Sequence, residues 1–117
     1  MSDFMEQLEE IKNRFLQEDP KMRLGHLAAD LLRIATFIET GSSSQVKPII
    51  YESKFMAEWA AGEADIEVKG LLSEMQSFLA LREHQWPAWC HDSVSCTKTS
   101  VTARLWSNKL LKRSGLL

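Results

Sequence analysis

Few residues in this chain have the types and spacing to do chemistry. Cys90, His91 and Cys96, with His84 upstream, form its one cluster of soft metal ligands. Structural zinc usually takes four such side chains, often in closely spaced pairs. Here Cys90 and His91 are adjacent, and no CxxC spacing occurs. The cluster therefore reads as two reduced thiols with surface imidazoles, and no metal is expected. The two thiols can pair as a redox-switchable disulfide if the chain brings their Cα atoms within about 7 Å.

His26, Asp30 and Arg33 form the second candidate group, on the polar side of a helix. His26 and Asp30 lie one turn apart, so the carboxylate can raise the imidazole pKa and orient a general base. The plainer reading is a solvated helical pair. No strand-turn-helix elbow presents a serine or cysteine. No Glu-x-x-His supplies di-iron ligands, and no glycine-rich loop cradles a phosphate. No catalytic residue and no cofactor are therefore expected.

Aromatic residues are the third group. Trp59, Trp86, Trp89 and Trp106 are many for 117 residues. Each large ring buries on the order of 200 Å². Trp86-Pro-Ala-Trp89 reads either as a lid folded over the core or as an aromatic anchor for a partner protein.

The elements that must position these groups are helical. Asp19-Pro20, Gly41-Ser-Ser-Ser44, Gly62 and Trp86-Pro87 break the chain into helix-length pieces. Between them, apolar residues recur at helical period, without strand alternation. The first piece, residues 2–18, starts at an Asp3 cap with Glu6 closing a capping box. Its Phe4, Leu8, Ile11 and Phe15, spaced 4, 3 and 4, make a narrow seam that either closes the chain's own bundle or pairs with a second copy or a foreign helix. The second piece, 20–40, has Asp19 as cap, Pro20 in the first turn and Gly41 as stop. Leu24, Leu27, Ala28, Leu31, Leu32, Ile34, Ala35 and Ile38 form one wide apolar face, with Leu24, Leu27, Leu31 and Ile38 the best core candidates. The third piece, 48–61, presents Ile49, Met56 and Ala60 beside Ser53, with Ile50, Phe55 and Trp59 widening the surface. The fourth, 64–85, has Asp65 as a candidate cap and Val68, Leu71, Leu72, Met75, Phe78, Leu79 and the stem of Arg82 on one side. Its Gly70 marks a place for a close neighbour. Residues 86–99 lack a clear period and read as an irregular segment with room for one helical turn. The last helix is expected over 100–113, capped by Thr99 or Ser100. Ala103, Trp106 and Leu110 form its stripe, with Val101 and Leu105 on another side.

Charge is uneven along this sequence. The net charge is −2, yet residues 93–117 hold five bases (Lys98, Arg104, Lys109, Lys112, Arg113) and no acid. The first 20 residues hold six acids and two bases. An acidic first helix and a basic last segment attract each other, within one chain or between two copies. Five bases make a poor phosphate footprint, which argues against nucleic-acid binding. No run is long and apolar enough for a membrane helix. The acidic start lacks a secretory signal's basic residues, and two cysteines make no disulfide framework. A cytoplasmic protein is expected.

Two stretches, Glu52-Ser-Lys-Phe-Met-Ala-Glu-Trp59 and Leu105-Trp-Ser-Asn-Lys-Leu-Leu-Lys-Arg-Ser-Gly-Leu-Leu117, together with Asp30-Leu-Leu-Arg33, resemble small uncharacterised helical proteins of cyanobacteria. The resemblance implies a cytoplasmic bacterial protein and supplies no activity and no site residue.

Residues 1–117 are therefore expected to form a single all-α domain, a four- or five-helix antiparallel bundle, orthogonal or up-and-down. The expected function is a non-enzymatic helical protein-interaction module, homodimeric, with Phe4, Leu8, Ile11, Phe15, Trp86 and Trp89 as candidate interface. Two alternatives remain open. One is a small-ligand or metal-binding bundle that uses the 84–96 segment as a functional loop. The other is a weak nucleic-acid binder acting through the basic C-terminal segment.

Overall fold

A computed structural model describes residues 2–115, without the side chains of Ser2 and Phe4. The fold is all-α, with no strand among the described residues. Six α-helices follow in order: α1 (Ser2–Gln17), α2 (Pro20–Glu39), α3 (Val46–Ala61), α4 (Ile66–His84), α5 (Trp86–Trp89) and α6 (Ser93–Ser114). A 3-10 turn, Ser43–Gln45, leads into α3. The count exceeds the expected four or five by the single turn of α5, which falls in the segment expected to be irregular with room for a helical turn.

Local chemistry explains most boundaries. Asp19 caps α2 by accepting from the Lys21 N–H at 2.9 Å, with Pro20 in the first turn. The helix closes where Gly41 turns left-handed, at φ 78°. The N–H groups of Gly41 and Ser42 then donate to the carbonyls of Ile38 and Phe37, the paired bonds of a Schellman stop. Asp65 caps α4 through the Val68 N–H.

The last helix corrects the expected start. Asp92 accepts from the Ser95 N–H at 3.0 Å, so α6 begins at Ser93 and not at Ser100. The Ser/Thr-rich run that hid the helix is accommodated by back-bonding. Thr97, Thr99 and Thr102 donate their hydroxyls to the carbonyls of Ser93, Ser95 and Lys98, one turn earlier. The premise of a long functional loop falls with this correction. Gly70 differs as well: it is exposed, and a Cβ there would meet nothing within 4 Å. It serves no close approach.

α2 is central to the core. Its Leu24, Leu27, Ala28, Leu31, Ile34 and Ala35 are buried, while Ile38 is half-buried and Leu32 is exposed. α2 packs most extensively on α6 and also on α3, and α3 packs on α4. Pairings fix the directions. Asp30 meets Ser53 and Arg23 meets Glu63, so α2 and α3 run oppositely. Arg104 meets Glu39 and Ser107 meets Ala28, so α2 and α6 do too. α1 packs chiefly on α3, with Phe15 buried against Trp59 at a ring-centroid distance of 6.1 Å.

Candidate functional site

The least ordinary group in the molecule is Asp30. Its position on α2 turns it toward α3, where it is only 4% exposed. Burial of an acid in a helical core demands partners. The Ser53 hydroxyl donates to one carboxyl oxygen at 3.4 Å, and the Arg33 guanidinium donates to the other at 3.3 Å. Glu52, the residue before Ser53, brings a second carboxyl into hydrogen-bond contact. A hydrogen bond between two carboxyl groups requires a proton on one of them. Asp30 is the natural holder. Burial pushes its pKa up to about 7, the Glu52 charge and hydrogen bond add to the rise, and Arg33 and then His26 oppose it.

His26 behaves differently from its expected pairing. Its Nδ1 lies 2.9 Å and 3.0 Å from the two oxygens of Glu18, at the end of α1, so the imidazole's direct partner is Glu18 and not Asp30. Glu52, Glu18 and His26 line a surface hollow of about 260 Å³ under α1, together with Ile11, Arg14 and Met56. Glu52 also lines a neighbouring hollow of about 250 Å³ with Leu8, Ile11 and Tyr51. Chemically, burial keeps a proton on Asp30 at pH values where an ordinary carboxyl has already lost it. Both Asp30 oxygens are already engaged, and Ser53 is fully buried, so neither reaches a molecule seated in the hollows.

The 84–96 region is mostly structural packing. Trp89 is 3% exposed, and its indole N–H donates to the Arg82 carbonyl at 2.7 Å. Trp86 packs edge-on against it at 5.0 Å between centroids. Both cysteines are free thiols lining a hollow of about 220 Å³ beneath these rings. Cys96 donates to the carbonyls of Trp89 and Cys90. Burial pushes its thiol pKa up, and the Cys90 and Asp92 charges push the same way. A raised thiol is a poorer nucleophile and metal ligand at neutral pH. His84 and His91 are exposed. Among the described residues, no group of three or more His, Cys, Asp or Glu gathers where a metal ion would fit.

The candidate interface residues separate. Phe15, 2% exposed, and Trp89, 3% exposed, pack in the chain's own core, the reading in which the seam closes its own bundle and the rings form a lid, and so they do not face a partner. Leu8, Ile11 and Trp86 are half-buried. The Phe4 side chain lies outside the described residues.

Sequence reasoning missed two features. Glu52 and Ser53 lie far from Asp30 along the chain, and no local signal joins them. The second is a seam on α6. Val94, Val101 and Leu105 are each more than half exposed, and Lys98 and Lys112 lie on the same outward line. The residues follow at spacings of 4, 3, 4 and 7, a signal readable once the helix is known to start at Ser93.

Compared with protein-family models, with curated proteins and with solved structures, the chain matches none.

Proposed function

We propose that this chain is a non-enzymatic helical interaction module that pairs with a second copy of itself. The reading treats its helices as one antiparallel bundle, working in the cytoplasm of a bacterial cell as the resemblance implies. The observation that carries it is the row Val94, Val101 and Leu105, large apolar side chains left in solvent on one line of α6. Singly exposed apolar residues are ordinary, but a heptad-spaced line of them is the pattern of a helix that packs on another helix. Met22 and Leu32 add exposed apolar surface on α2, the helix most closely packed against α6.

Sedimentation equilibrium tests the reading. A dimer whose population grows with protein concentration supports it. A monomer at the highest attainable concentration removes it.

A second reading has one observation in its favour, the Glu18 and Glu52 carboxyl groups that together line the hollow under α1. In that reading the hollow takes a small cationic ligand, and Glu52→Gln removes binding while leaving the oligomeric state unchanged.

A further inference from the structure

We propose that the outward seam of α6 is the docking surface for α1 of a second copy of this chain. The inference rests on the self-association reading above and names its contact. Of the five bases on α6, Arg104 is paired with Glu39, Arg113 is paired with Glu67, and the Lys109 ammonium lies 4.7 Å from the centre of the Trp106 ring. Lys98 and Lys112 enter no ion pair among the described residues, and both stand on the line of Val94, Val101 and Leu105. Asp92, whose pKa Lys98 helps to lower, is committed to capping the helix through Ser95.

The complementary surface is on α1. Glu6, Glu9 and Glu10 are exposed and likewise enter no ion pair among the described residues. Exposed Met5, half-buried Leu8 and half-buried Leu16 run beside them. Met5 to Leu16 and Val94 to Leu105 span the same number of residues, about 16 Å along either helix. Within its own chain α1 packs chiefly on α3. Its acids and Met5 therefore stay available without unfolding anything. A two-fold axis would set each α1 on the other copy's α6 and so make the contact twice. Valine and leucine between the two lysines suit an amphipathic acidic helix better than a phosphate backbone, which would leave them in water.

Sedimentation equilibrium at low and high salt is run on four chains: the wild type, Lys98→Glu/Lys112→Glu, Glu6→Lys/Glu9→Lys/Glu10→Lys, and the chain carrying both sets. Far-UV circular dichroism checks that each keeps its helices. The wild type is expected to dimerise, more weakly in high salt. Each one-helix reversal is expected to weaken the dimer about tenfold or more, and the doubly reversed chain to recover it. A dimer indifferent to Lys98→Glu/Lys112→Glu overturns this surface while leaving self-association standing. A wild type that stays monomeric overturns both. A monomer that binds single-stranded DNA at low salt through the same two lysines replaces the second copy with nucleic acid.

Discussion

The α2–α6 contact and the α1–α3 contact are built from opposite materials. α2 and α6 pack more extensively than any other pair of helices, and each buries small residues, Ala28 and Ala35 on α2 and Ala103 and Ser107 on α6. The Ser107 hydroxyl donates directly to the Ala28 carbonyl at 2.8 Å, which requires close backbones. α1 rests on α3 through larger and sparser groups. Phe15 inserts beside Trp59, Leu8 and Ile11 are only half covered, and two hollows flank Glu52. Dense packing concentrates stability because every atom has neighbours, whereas a seam with hollows forfeits much of that attraction. The first contact holds the fold together, and the second leaves a helix free to adjust.

The largest expected effect breaks the dense side. Leu27→Ala or Leu31→Ala removes a fully buried side chain from α2 and is expected to cost about 3–5 kcal/mol in urea unfolding. Ile11→Ala on α1 should cost about 1 kcal/mol, because its side chain is already half in water. If the two substitutions cost the same, the contrast is wrong.

Between these lies the acid pair. Asp30 has its folded pKa raised to about 7 from an ordinary 3.8. The folded state therefore binds the extra proton across that interval. The contribution is fully present below pH 4, declines as pH rises and is gone above 7. Asp30→Asn lacks this decline. Relative to wild type it is expected to gain on the order of 4 kcal/mol at pH 8 and little at pH 4. Paired urea titrations at the two pH values read the difference, and an equal gap at both rules out titration of Asp30 in this range.

Two smaller effects sharpen the comparison. Amide hydrogen exchange should release α1 before the buried turns of α2, through local opening and not global unfolding. Simultaneous exchange of both helices would make the fold one unit. Arg104→Ala, which removes the exposed pair with Glu39, should lower Tm slightly at low salt and not measurably at high salt, since exposed ion pairs are screened.

Periodicity and punctuation settled the helical class and most of the core, for reasons that live in neighbouring residues. Asp19-Pro20 and Asp65 start helices because a carboxylate reaches N–H groups two or three residues on. Gly41 ends one because it takes the left-handed turn without strain. The same local logic failed at Ser93. There the hydroxyls of a polar run find carbonyls only after the helix has formed, so the composition resembled a loop. What lay beyond the sequence was everything that depends on which helix meets which. Asp30 sits on a polar-looking side of α2, and only the packing of α3 against it turns a solvated carboxylate into a buried acid beside Glu52. Val101 and Leu105 were visibly apolar, but only the docking of α6 by its opposite stripe left them facing water. A periodic pattern states that a face is apolar; the tertiary contacts decide whether that face is already covered.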